Sequence, residues 1–258
     1  MGIRQFRKAT LGIAGTIAII AAWHLGSTIV GSSLILPGPS EVLRTTLSLL
    51  GEREFWHSVL GTFRRVALAF ALTMAAGSVA GTIAALSTDF DRFLSPLLSV
   101  IRATPVLALI LLAMFWLPSD SVPIFSSFLM AFPVAFTSVK TGIASADKEL
   151  LEMAALFRVP WKRQILNLRL PAASMHFLSA MKNSLGLCWK VVVAGEVLAQ
   201  PLRGLGTAMQ DARLSLETPM VFSWALVTVL LCGASEGLLG LAYERVRLRR
   251  WTAAEGKS

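Results

Sequence analysis

Long apolar stretches separated by short charged ones set the rhythm of the chain. Ala9 to Val30 holds no charge beyond His24, and such a run crosses the ~30 Å hydrocarbon core as a helix. Comparable stretches recur within Trp56–Leu86 and at Phe93–Leu117, Val122–Val139, Phe177–Leu198 and Pro219–Ala242. The pattern predicts an all-α membrane protein of about six transmembrane helices. There is no tandem repeat and no long linker, so residues 1-258 read as one domain with its core at 56-250.

The segments between the apolar runs orient them. Arg4, Arg7 and Lys8 precede the first span, and Arg245, Arg247, Arg249 and Arg250 follow the last. Lys140 to His176 carries Lys140, Lys148, Arg158, Lys162, Arg163 and Arg169 against Asp147, Glu149 and Glu152. Basic excess marks the cytoplasmic side, so both termini and this stretch read as inside. On the other side, Leu36–Ser40 is a turn, and Ser40 can cap a surface-lying helix with Leu43, Leu47 and Leu50 on one face. Arg64 and Arg65 stand on the external side against the charge bias, and are expected to snorkel or to pair with Glu52 and Glu54. Gln200–Gly206 is an external turn, followed by a polar helix with Asp211, Arg213 and Glu217. Gly77 and Gly81 are spaced for close approach of a neighbouring helix.

Composition agrees with the pattern. The chain has 258 residues, 55% hydrophobic and 15% charged, with a mean hydropathy of +0.66. The net charge of +9 sits in the loops, which suits anionic headgroups of the lipid bilayer and leaves no reason to invoke nucleic acid. Cys188 and Cys232 lie in apolar runs, with no disulfide framework and no metal-ligand spacing. The first span has a basic start without a small-residue cleavage site, so it is expected to be retained. Gly256-Lys257-Ser258 mimics the end of a phosphate-binding loop, but the position that needs the leading glycine is Trp251. No catalytic set stands out, and His24, His57 and His176 lie near span ends. The chain therefore reads as a non-enzymatic membrane component without a cofactor.

Two groups of residues carry candidate function. Glu152 to Pro171 opens as a helix, bends at Arg158–Val159 before Pro160, and resumes as a second basic helix expected to stop at Leu170–Pro171. A short helical knob outside the bilayer between two spans, about 148-171, is a docking element. The second group is the intramembrane charges: Arg102 in the third span, and Lys182, Lys190 and Glu196 with Asn183 in the fifth. Such charges face a bundle interior or a water-filled route. Arg102 reads as interfacial or as an aid to an anion's passage, and Lys190 and Glu196 either line a route or tie helices together.

The docking segment resembles the EAA loop of bacterial ABC-importer permeases, whose pattern is E-A-A, a Gly four residues after the second Ala, then I-x-L-P. Glu152, Ala154, Leu170 and Pro171 fall in register, while Met153 stands for the first Ala and Arg158 for the Gly. The LPGPSEVL and TFRRVALAF stretches are similar to the nitrate/sulfonate/taurine branch. The resemblance implies a type I ABC importer-like permease of the bacterial inner membrane, working as a homodimer. It implies two ATPase subunits that hold the ATP and Mg, seated on Glu152, Ala154, Ala155 and the Leu170–Pro171 end, with Arg158 and Pro160 at the bend. It also implies an extracytoplasmic solute-binding protein and a solute such as a sulfonate, taurine, nitrate or bicarbonate, or a vitamin-precursor amine. An ion-coupled secondary transporter using Lys190 and Glu196 as a relay is the alternative, and it would show inverted repeats.

Overall fold

Apolar helix-forming runs become helices throughout the computed structural model, which describes the backbone of residues 2–255 and the side chains of 10–12, 14–243 and 245. The side chains of Arg4, Arg7, Lys8, Arg247, Arg249 and Arg250, and the whole Gly256–Ser258 end, lie outside the described residues. In chain order the helices are α1 (Gly2–Val30), α2 (Pro39–Leu49), α3 (Arg53–Leu86), α4 (Thr88–Ala103) and α5 (Val106–Ala113). They continue as α6 (Val122–Ala144), α7 (Lys148–Leu156), α8 (Trp161–Gln164), a π-helical turn (Ile165–Arg169), α9 (Leu170–Ala199), α10 (Leu205–Leu214) and α11 (Thr218–Glu255).

The centre is a bundle of α3, α6 and α9. Val66 and Ala69 of α3, Ala131 of α6 and Leu185, Trp189 and Val192 of α9 are buried together. Small residues let the backbones close: a Cβ on Gly77 would stand 2.6 Å from Ala135 Cβ, and one on Gly81 would stand 2.7 Å from the Phe136 carbonyl oxygen. The expected glycine pair is therefore the α3–α6 contact. Between membrane helices such packing supplies the attraction that the hydrophobic effect supplies in water. α1 stands to one side, touching the rest where Trp23 stacks on Phe222 and donates to the Pro37 carbonyl at 3.0 Å.

Three expectations about elements need correction. The third span is not one helix: α4 and α5 meet at 98°. Pro105 removes an N–H and drives Thr104 into extended backbone (ψ 124°), so the helix ends there. α5 turns to pack Ile110 and Ala113 against Val122 and Ala199. Among the described residues, four helices are long and apolar enough to cross a membrane, or five with the bent pair. The sixth expected span is α9, whose 30 residues suffice in length but whose Lys182, Asn183, Lys190 and Glu196 dilute its apolar character. In α2 the cap is Gly38 with Pro39 at the first turn, not Ser40, and the face that packs is Val42, Thr46 and Leu49. Leu43, Leu47 and Leu50 are left exposed.

Candidate functional site

The docking segment forms a projecting knob. Asp147 caps α7 by accepting from the Glu149 amide at 2.9 Å. The α7 C-terminus closes with two reversed bonds: Val159 N–H to the Ala154 carbonyl at 2.8 Å, and Arg158 N–H to the Ala155 carbonyl at 3.0 Å. This six-to-one and five-to-two pair is a Schellman cap, which places its fifth residue in left-handed backbone. That residue is Arg158, with φ 51°. The bend is thus made by the residue standing where the family pattern has glycine, and Pro160 follows in extended backbone (ψ 138°).

The expected stop at Leu170–Pro171 is absent. The chain passes from α8 through the π-turn into α9 without a break, and Leu170 N–H reaches back five residues to the Ile165 carbonyl. The usual obstacle to proline inside a helix is its clash with the preceding turn and its missing donor. A π-turn widens that preceding turn, and Pro171 falls in the first turn of the α-helix that follows, where no donor is needed. The knob is held where α6 and α9 touch: a Cβ on Gly142 would stand 2.7 Å from His176 Cβ and 3.2 Å from Ala173 Cβ.

Around the bend the knob offers apolar surface. Leu156, Phe157 and Trp161 are 84%, 77% and 60% exposed. Glu152 and Ala155 are exposed beside them, and Ala154 is buried. The sequence reading picked out Glu152 and the alanines and passed over Leu156, Phe157 and Trp161. Large apolar side chains in an otherwise polar island were the available signal.

At the opposite end of the bundle the paired arginines find partners other than Glu52 and Glu54. Arg64 bonds Asp120 at 2.5 Å, and Arg65 bonds Asp120 at 2.5 Å and Glu196 at 2.7 Å. Glu52 and Glu54 are close in sequence, but helical geometry points Arg65 inward, towards α9. Glu196 is fully buried; it accepts from Thr62 Oγ1 at 2.8 Å and from Gly206 N–H at 3.0 Å. Thr62 in turn accepts from Leu205 N–H, and Arg65 donates to the Arg203 carbonyl at 2.7 Å. Glu196 therefore ties α3, α9 and the 200–206 turn together. Arg65 is 2% exposed, so both members of the pair are desolvated and each needs the other.

Arg102 and Lys190 are placed differently. Arg102 borders an open cleft of about 500 Å3 with Met130, Pro133, Thr137, Ser138 and Leu187. Its guanidinium bonds Thr137 and donates to the carbonyl of Pro133 at 3.4 Å, a proline that the continuous helix α6 carries in its interior, where the sequence predicts a break. Lys190 is exposed on α9. Glu236 of α11, which the sequence reading did not single out, reaches the same side of α9.

Residues 75–248 match the family described as "Binding-protein-dependent transport system inner membrane component", and the chain belongs to that family. It is 29% identical over 247 residues to SsuC of Bacillus subtilis (strain 168), named for aliphatic sulfonates transport, covering 95% of this chain and 89% of that one. It is 27% identical over 253 residues to the taurine transport system permease protein TauC of Escherichia coli (strain K12), covering 95% and 90%. Its fold is shared with a chain of the MetNI methionine ABC transporter in an inward-facing conformation. That similarity has a TM-score of 0.58 at 16% identity and covers 77% of this chain and 94% of the other. The chain is thus the transmembrane permease subunit of an ABC importer, a multi-pass membrane protein of all-α fold.

Proposed function

We propose that two copies of this chain form the membrane pathway for a small anionic solute, with ATPase subunits docked on the Glu152–Pro171 knobs. An extracytoplasmic binding protein delivers the solute, and ATP and Mg are held by the partner ATPases. The termini and the knob lie in the cytoplasm, on the basic side of the bilayer. The observation that carries this reading is the exposed Leu156–Phe157–Trp161 surface beside Glu152, on a knob fixed to both α6 and α9. A soluble partner covering that surface buries large apolar side chains at its centre.

The mechanism is alternating access. ATP binding closes the ATPases, the knob moves with them, and α6 and α9 rock to open the pathway to the other side. Coupling falls to Glu152, Ala154, Ala155, Arg158, Pro160, Leu170 and Pro171, together with the apolar side chains around the bend. Arg102 and Lys190 border the pathway and favour an anion, in keeping with the sulfonate and taurine transport for which the relatives are named. Burial of Glu196 among three donors argues against the ion-coupled alternative.

Purification of the tagged chain from its host in mild detergent should bring down an ABC-type ATPase in near-equal amount. In vesicles holding that complex and its binding protein, Glu152→Lys should abolish ATP-driven taurine uptake while leaving the amount of folded chain unchanged. Uptake at the unmodified level would remove Glu152 from the coupling contact. A chain that purifies alone, even after cross-linking at the knob, would remove the ATPase.

A further inference from the structure

Two ammonium groups, Lys182 and Lys190, stand on the exposed side of α9, and neither has an ion-pair partner among the described residues. α11 runs antiparallel beside them in a regular register. Lys182 Nζ lies 3.1 Å from where a Cβ of Gly240 would stand. Glu236 Oε1 fills the place of a side chain at Gly186, 2.3 Å from the absent Cβ. Lys190 is in electrostatic reach of Cys232, whose Sγ is 3.7 Å from Glu236 Oε1. Gly186 and Gly240 thus open a polar slot between the helices, with a carboxylate between two ammonium groups and paired to neither. On the other flank of α9, Leu187 lines the cleft that holds Arg102. Leu187 is one turn from Lys190, so slot and cleft lie along neighbouring faces of α9.

Three cations and one carboxylate therefore lie along neighbouring faces of α9. At ~1.5 Å per residue, Lys190 lies about 14 Å inside the Ala199 end of α9. An unneutralised charge at that depth faces water or protein, not hydrocarbon.

We propose that the Lys182–Glu236–Lys190 slot is a subsite for the oxyanion group of the transported solute, with the Glu236 carboxylate standing in for that anion while the route is empty. The proposal rests on the reading that this face of α9 borders the pathway. An entering sulfonate or carboxylate displaces the Glu236 side chain from between the lysines. A cation finds the approach repulsive. Competition from Glu236 keeps the site weak enough to release what it binds, as conduction requires.

Cys232 is a native reporter inside the slot, and Cys188 is buried and removable as Cys188→Ala. The test compares labelling of Cys232 in the complex in vesicles by two thiol reagents: the anionic 2-sulfonatoethyl and the cationic 2-(trimethylammonio)ethyl methanethiosulfonate. Each rate is normalised to that reagent's rate with a free thiol in solution. The sulfonate reagent should be favoured on the order of tenfold. Glu236→Gln should raise its rate severalfold, and Lys182→Gln with Lys190→Gln should erase the preference. The unmodified chain alone decides the first point, so a variant that fails to fold does not rescue the idea. Equal normalised rates, a thiol silent to both reagents, or a Glu236→Gln chain indistinguishable from the parent would overturn it.

Lipid headgroups carry the same anionic chemistry. In vesicles of phosphatidylcholine alone, ethanesulfonate should slow the labelling. Slowing that requires added phosphatidylglycerol would assign the slot to a headgroup and end the solute reading. Labelling needs no ATP. Loss of ATP-driven uptake with the anion preference intact would therefore count against the importer mechanism and leave the subsite standing.

Discussion

Arg158 occupies left-handed backbone where a side chain costs about 1–2 kcal/mol relative to glycine, partly offset by glycine's greater freedom when unfolded. Arg158→Gly should therefore stabilise the knob by about 1 kcal/mol, slowing amide exchange around Ala155–Val159 about fivefold. Arg158→Ala keeps the strain and should leave exchange unchanged. A glycine variant that exchanges faster would mean that the arginine side chain, not its backbone, holds the bend. Glu196 poses the opposite case, a charge whose loss leaves another uncompensated. Glu196→Ala leaves Arg65 buried with only Asp120 as an ionic partner, a loss of about 3 kcal/mol for a desolvated pair. The thermal midpoint of the chain in mild detergent should fall well below that of Thr46→Val, which removes one neutral bond to the Val42 carbonyl worth about 1 kcal/mol. Equal midpoints for the two variants would show that the Glu196 charge is not what the bundle depends on.

The knob joins α7, α8 and a π-turn to two spans, and its apolar surface is where a partner gains most. Phe157→Ala and Trp161→Ala should each weaken ATPase co-purification about tenfold or more, as aromatic anchors at interface centres do. Leu43→Ala on α2, equally exposed but at the opposite end, should leave it unchanged. Retention of the ATPase by both knob variants would place the contact elsewhere. This element was legible in the sequence because a polar, proline-broken island between apolar runs has few other uses. Its C-terminal boundary was not, since a proline reads as a stop unless the turn before it is known to be widened. The third span failed for a related reason: hydropathy averages across Thr104–Pro105 and cannot see a 98° turn in an apolar run. Pairing was hidden as well. Arg65 and Glu196 are far apart in the chain, and only the packing of α3 on α9 brings their atoms to 2.7 Å. Glu236 escaped notice because nothing in α11 shows that Gly186 of another helix has left room for its carboxylate.

A chain whose spans carry Arg102, Lys182 and Lys190 along neighbouring faces of α9 cannot present that surface to hydrocarbon. Such a charge costs about 3 kcal/mol at the bilayer centre by insertion measurements, a cost that Lys190 approaches and that falls for Arg102, in the last turn of α4, and for Lys182, near the inner end of the expected Phe177–Leu198 span. The α3–α6–α9 core is already packed within one copy, so burying this face calls for another molecule rather than rearrangement of the bundle. In the proposed dimer, a second copy placed face to face would enclose a shared aqueous route and relieve the same penalty on both sides. Fluorescently tagged chain, reconstituted at low density without its partners, should then bleach mainly in two steps rather than one. Replacing Arg102, Lys182 and Lys190 together by glutamine lowers the cost of exposing the face and should shift the distribution towards single steps. Single-step bleaching of the unmodified chain would mean that one copy shields these charges unaided, and the shared route between two copies would have to be abandoned.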